Sequence, residues 1–593
     1  MKRLLSLLLA LTMLVGVFGV SAVAFAPQDP LTWTISPYPV ILIHGILQSD
    51  VFLYEDDERV YPQREPFPEF DESALIRQLL LPLLGSLLFQ MDLGLSRALR
   101  TALLDSSELL RTDEAGRLLR DFRTVRYPVS LAELSEAQRD RVYGTLPIRG
   151  LAEHAGEENV YFFTYNSFGH HRDIVDELYE FIQEVLERHD VERVNLVPIS
   201  LGGTLFNGLI EYYPSVHSQL SNVVITVGAM DGSNLAGDLY TRNLRFDNLS
   251  LYHTLFPEIL GDNVLGTVAN IALRFVSKPL LMRILNTVID TLIGEVLSYH
   301  TNLMALVPSA QYAQMRELWL MGDSHAQVRA YMDAYHQAQV NAHDNIQSII
   351  DQGGRVYVIA EFDYGSALPI GHTHAQNGDG LIPVASAGLG VTAAPFGQTL
   401  SAEHIAGVDP RYISPCEVVD VSTALLPDQT WLFKEQDHEG TGRSDVIIRL
   451  ITRLATDAEH VDVFSMPEWP QFNWGRETRN HYWAQQQIQG ILNDSGRNLT
   501  DEQRAQLIEA VQIADDMFAN THVDPAETEA AYRALHDALV AVGERQPHVP
   551  PSEPSWFSNA FGTVMGWVNT FLYFIIGPRG FIDPFWRMWT VRW

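Results

Sequence analysis

The chain has 593 residues, 46% of them apolar and 19% charged, with a formal net charge of -33 at pH 7. This globular composition allows about two to four folding units and excludes a collagenous or disordered chain. So acidic a surface repels phosphate backbones and excludes nucleic acid as a partner, and the single cysteine, Cys416, excludes an intramolecular disulfide and is read as a packing residue.

Lys2 and Arg3 precede an almost unbroken apolar stretch, 4–20, and small residues at Ala22, Ala24 and Ala26. That is the form of a secretory signal, expected over residues 1–26, with Pro27 favouring a cut after Ala24. The mature protein is then exported, either extracellular or held at the cell surface.

The run Tyr38-Pro39-Val40-Ile41-Leu42-Ile43-His44-Gly45 predicts a buried parallel strand feeding a loop. Similar runs recur at 159–165, 194–199, 222–229, 355–362 and 430–434, with helical patterns between them. Over 174–188, for example, Ile174, Leu178, Phe181, Ile182 and Val185 recur at helical spacing. The alternation predicts an α/β fold, a mainly parallel sheet flanked by helices. Two stretches are too long to be connections: 66–150, with a leucine-rich part at 74–88, and 231–350, with apolar helical patterns at 265–276 and 280–297. Both are expected to be helical caps over one edge of the sheet.

The alternation stops after Ala455. Thr500 and Gln503 form a capping-box pattern that opens a helix to about Ala519. Asp524-Pro525 opens another to about Val542. Residues 480–545 are therefore expected to be a helical hairpin module, followed by a proline-rich linker at 546–555. Residues 556–576 carry no charge, and Arg579, Arg587 and Arg592 follow. The aromatic, apolar tail 556–593 is expected to span a bilayer, to lie in its interface, or to dock on the folded protein.

The sharpest chemical signal is Val197-Pro198-Ile199-Ser200-Leu201-Gly202-Gly203, where a strand runs directly into a serine and then into small residues that open a helix. A nucleophile elbow needs this order, because its serine must stand exposed at a tight strand-to-helix turn. Pro198 departs from the usual glycine. His44-Gly45-Ile46 closes the first strand, so the main-chain N–H groups of Ile46 and Leu201 are the candidate oxyanion donors, with His44 orienting the loop. A general base is expected after the last strand, at His438 in Asp437-His438-Glu439-Gly440, with His404 in reserve. Asp379, in Asn377-Gly378-Asp379-Gly380, is the candidate acid; Asp363, which ends the fifth strand, and Asp231 are its rivals. The order Ser200, Asp379, His438 is the one such a fold uses. Gly371-His372-Thr373-His374 offers a histidine pair without a third ligand, so no metal site is expected.

Residues 36–456 resemble the α/β-hydrolase lipases, including bacterial triacylglycerol lipases and relatives of lecithin–cholesterol acyltransferase. The resemblance rests on 39–46, 195–203, Asp379-Gly380-Leu381-Ile382-Pro383-Val384-Ala385-Ser386, Asp437-His438-Glu439-Gly440 and Asn302-Leu303-Met304-Ala305-Leu306-Val307-Pro308-Ser309. It implies an α/β-hydrolase fold, Asp379 rather than Asp363 as the acid, and a serine hydrolase cleaving lipid-like acyl esters without a cofactor. The apolar caps fit a hydrophobic substrate. Two other readings stay open: acyl transfer to an alcohol, and a cell-envelope binding protein built on a retired hydrolase.

Overall fold

The computed structural model describes residues 33–64, 78–79, 81–82, 85–86, 88–246, 251–252, 274, 276–366, 371–373, 375–466, 469–474, 481–493, 497–519 and 525–544. The expected signal segment, linker and apolar tail lie outside the described residues, as do Asp524, His374 and most of 74–88 and 265–276. The chain divides into two units, Met1–Trp483 with Asp515–Tyr532, and Ala484–Ala514 with Arg533–Trp593.

The first unit carries twelve strands among the described residues: β1 (Val40–Ile43), β2 (Val51–Glu55), β3 (Glu58–Arg64), β4 (Asp121–Thr124), β5 (Val160–Phe163), β6 (Val194–Pro198), β7 (Leu220–Thr226), β8 (Arg355–Phe362), β9 (Thr392–Ala393), β10 (Val419–Asp420), β11 (Thr430–Lys434) and β12 (Phe472–Trp474). Seven of them form one parallel sheet in the order β12-β11-β8-β7-β6-β1-β5. The helices that matter for the site are α1 (Leu95–Ser106), α2 (Glu136–Thr145), α3 (Arg149–Ala155), α4 (His171–His189), α5 (Gly202–Tyr212), α6 (Lys278–Ile289) and α7 (Asp445–Thr456).

Alternate strand residues serve opposite faces. Ile41, Tyr161, Leu196, Ile225 and Val358 pack with α4 and α5 residues such as Leu178 and Leu205. Leu42, Phe162, Val197, Val224 and Ile359 pack with Leu151 of α3 and with Ile447 and Leu450 of α7. Both faces are covered, which is why the strands read as continuous apolar runs rather than alternating ones.

The sheet extends past Ala455, where the strand–helix alternation of the sequence ends. Strand β12 is only three residues long, too short for a periodic signature, yet Leu432 N–H donates to Gln471 O at 2.8 Å and fixes it to the β11 edge. The first insertion is also not purely helical. Its strand β4 joins β2 and β3, which precede the insertion, in a separate antiparallel sheet. Its hairpin turns at Asp56 and Asp57, both left-handed (φ 49 and 66), as a two-residue turn of the mirror-image type requires. The apolar pattern at 280–297 divides into α6 and a π-helical stretch, Asp290–Val296. The two insertions pack on each other, with Leu95 and Leu99 of α1 against Ile284 of α6 and an Arg100–Glu295 ion pair.

The second unit draws on three helices, α8 (His481–Asn493), α9 (Asp501–Ala519) and α10 (Pro525–Ala541), where a two-helix hairpin was expected. Ala484, Ile488 and Ile491 put an apolar stripe on α8, which joins Leu507, Ala510, Leu535 and Leu539 in one core. The capping box forms: Gln503 N–H donates to Thr500 Oγ1 and Thr500 N–H to Gln503 Oε1, both at 3.1 Å.

Candidate active site

The strand order reverses between β1 and β6. The chain passes from β1 out to β5 and then returns to the other side of β1 to build β6, β7, β8, β11 and β12. Such a switch point opens a crevice at the carboxyl ends of the strands, because the loops after the two neighbouring strands diverge. The loop after β1 and the turn after β6 flank it.

The turn after β6 is sharp. Ile199 N–H still donates to Ile43 O at 2.9 Å, as a continuing strand residue would. Ser200 then adopts φ 53, a left-handed conformation that few non-glycine residues take, and donates its N–H to Thr226 O at 3.1 Å. Helix α5 begins two residues later. A Cβ on Gly202 would stand 2.8 Å from Ile43 O, and one on Gly203 would stand 2.9 Å from Ala229 N. These glycines let the helix cross the strands closely. Gly203→Val is expected to destabilise the fold by about 2 kcal/mol or more through this overpacking, read as a lower urea midpoint. Pro198 fits because Asn195 and Ile199 both donate to the β1 side. By strand alternation, the N–H that proline lacks would face β7, and pairing to β7 resumes at Ser200.

Three distant side chains meet at this turn. Ser200 Oγ lies 2.8 Å from His438 Nε2, and His438 Nδ1 lies 2.6 Å from Asp379 Oδ2. The carboxylate partner makes Nδ1 the protonated nitrogen, so Nε2 accepts from the serine hydroxyl. Asp379 is itself fixed: its Oδ1 accepts the N–H groups of Leu381 (2.8 Å) and Ile382 (2.6 Å), and its carbonyl accepts His438 N–H at 3.0 Å. All three are buried, Asp379 to 1% exposure. Burial pulls the His438 imidazole down, but the charge and hydrogen bond of Asp379, with Glu439 and Asp437 nearby, outweigh it and hold the ring above its ordinary value.

The rival residues go elsewhere. Asp363 follows β8 in a left-handed turn (φ 62) and pairs with Lys434 at 3.4 Å. Asp231 accepts Ser309 N–H at 2.9 Å, and His404 pairs with Asp420 at 2.8 Å. Asp363→Asn is therefore expected to cost about 1 kcal/mol of stability and to leave any Ser200-dependent turnover within an order of magnitude. Paired kinetics and thermal melts on the variant check both.

The loop after β1 is held from several sides. Tyr165 N–H donates to Ser49 Oγ at 3.0 Å, the Ser49 hydroxyl donates to His44 Nε2, and His44 Nδ1–H donates to Gly45 O. The His44 ring stacks on Tyr165 at 4.2 Å, and burial pulls its pKa down to about 4, so it stays neutral. Gly45 N–H is taken by Gln48 Oε1 (2.7 Å) and Leu47 N–H by Ser167 Oγ (2.8 Å). Asn302, in the second insertion, braces Ser167 by donating to its carbonyl at 3.0 Å. Between the two committed amides, Ile46 N–H has no partner among the described residues, and neither has Leu201 N–H at the head of α5. The loop presses on the turn: a Cβ at Gly45 would come within 3.1 Å of Ser200 Cβ.

One buried group was not read from the sequence. Glu361 of β8 is 1% exposed. Its Oε1 accepts from Thr441 Oγ1, while Oε2 has no partner among the described residues. Burial and the neighbouring Asp379 charge push its carboxyl well above the usual carboxylate range. The only available sign was a charged residue inside the apolar run 355–362.

A cavity of about 290 Å³ opens at Ser200 and His438. Among the described residues, no three His, Cys, Asp or Glu side chains are grouped to hold a metal ion, and no helix is long and apolar enough to cross a membrane. Compared with known proteins, the chain matches no family model and shows no significant similarity to a curated protein.

Proposed function

We propose that this chain is an exported α/β-hydrolase that cleaves carboxylic esters of lipid-like acyl groups through an acyl-enzyme on Ser200. The observation that carries the reading is the unbroken hydroxyl–imidazole–carboxylate chain from Ser200 through His438 to Asp379, at the switch point of a parallel sheet. A complete chain of this kind supports an enzyme over a retired binding protein.

In this reading Ser200 Oγ attacks the ester carbonyl while His438 Nε2 takes its proton. Asp379 keeps Nδ1 protonated and stabilises the imidazolium that forms. The carbonyl oxygen gains negative charge, which the free N–H groups of Ile46 and Leu201 stabilise, helped by the positive end of α5. His438 then returns the proton to the departing alkoxide. A water molecule, deprotonated by the same imidazole, releases the acid and restores the serine. An alcohol in place of that water would give acyl transfer by identical steps. Steady-state hydrolysis of nitrophenyl butyrate and octanoate tests the proposal: turnover is expected for the native chain and is expected to vanish with Ser200→Ala. Equal turnover in both would refute it.

A further inference from the structure

The cavity beside Ser200 extends away from the loop surface, into the face of the sheet covered by α3 and α7. Its floor includes Val197 and Thr226; Leu146, Ile148 and Ile451 form its walls. Leu146 and Ile148 belong to the turn between α2 and α3, at the end of the first insertion. Gly144 and Gly442 also line it. A Cβ at Gly442 would come 3.6 Å from Pro147 Cγ across the gap, whereas one at Gly144 would meet nothing within 4 Å.

The charges at the rim indicate what enters. Arg141 is committed to Asp50 by two hydrogen bonds of 2.6 and 2.7 Å, so among the described lining residues no unpaired cation waits for an acid group. Glu439 adds negative charge to the lining and disfavours an anion further. Apart from the uncharged threonines Thr226, Thr441 and Thr452, the interior walls are mainly aliphatic, which favours an uncharged, flexible apolar chain.

We infer that this cavity houses the acyl chain of the substrate, and that the turn Leu146–Ile148 together with Ile451 limits it to a medium length. The inference rests on the proposed hydrolase reading. An apolar cavity of about 150 Å³ takes up one benzene ring, six carbons, so about 290 Å³ holds on the order of ten carbons. The scissile carbonyl then sits at Ser200, with the chain running between α3 and α7 and the alcohol half toward solvent.

The test is a series of nitrophenyl esters from acetate to palmitate. The native chain is expected to give its highest kcat/KM near octanoate and decanoate, falling at palmitate. Ile451→Trp and Leu146→Trp, which fill the cavity, are expected to lower the decanoate-to-acetate ratio of kcat/KM by at least about tenfold. Ile451→Ala, which enlarges it, should move the optimum to longer chains and keeps the test decisive where a tryptophan variant fails to fold. An unchanged length profile in the folded variants overturns the inference. Binding of the uncharged methyl decanoate to Ser200→Ala, by calorimetry, separates the two claims. Binding that Ile451→Trp removes, with no ester turned over by the native chain, supports the cavity and sinks the hydrolase. Ester turnover without methyl decanoate binding does the reverse.

Discussion

Ser200→Ala is expected to lower ester turnover about a millionfold. The variant keeps the turn, the cavity and the two free amides, but no oxygen remains to attack the carbonyl. Its fold should be unaffected, because alanine meets no contact at the left-handed position that serine does not already meet. The stronger form of the prediction is non-additivity. His438→Ala should cost about as much alone, and the double variant should fall no further than either, because serine and imidazole act as one unit. Progress curves at high enzyme concentration, with thermal midpoints as a folding control, read both. A double variant much slower than Ser200→Ala would mean that His438 serves a different nucleophile.

Asp379→Asn is expected to cost about 10⁴-fold in kcat while leaving substrate binding nearly intact. The carboxylate fixes the proton on His438 Nδ1. An amide can offer its N–H to that nitrogen instead, leaving the proton on Nε2, where it blocks the serine. The pH profile supplies a second readout. Activity needs the neutral imidazole, so kcat/KM rises as His438 loses its proton. Asp379 holds that proton more tightly than an isolated ring would. Its acid limb should therefore lie above the ordinary histidine value in the native chain and move to lower pH in Asp379→Asn, since removing a negative charge favours the neutral ring. A limb that stays in place would show that the observed titration is not that of His438.

Much of the fold was legible because strands buried on both faces carry their own signature. The runs around Leu42, Val197 and Val224 could be read without partners. Strand β12 could not, because three residues hold no periodicity and only the β11 edge makes Phe472–Trp474 a strand. The hairpin at Asp56 and Asp57 was not read from the sequence, because its strands follow β1 so closely that they fall in the stretch taken as the loop after it. The site was legible in outline for a different reason. A parallel sheet delivers the ends of its strands to one edge, so residues following β1, β6, β8 and β11 had to converge. Choosing among acids was harder. Asp363 and Asp379 both follow β8, and their roles separate only through the Lys434 pairing of one and the amides of Leu381 and Ile382 on the other. Nothing in the local sequence shows that Gln48 and Ser167 occupy the amides beside Ile46, nor that Glu361 lies behind Asp379. Those contacts arise from segments far apart in the chain.

The most direct measurement is covalent. A fluorophosphonate reacts readily with a serine whose proton can be taken, where main-chain donors receive the reagent's phosphoryl oxygen, so it reports the whole arrangement at once. Intact mass after treatment is expected to show one adduct per chain, mapped to the peptide containing Ser200 and absent in His438→Ala. No adduct on the folded native chain, or one on another residue with Ser200 unmodified, would contradict the account.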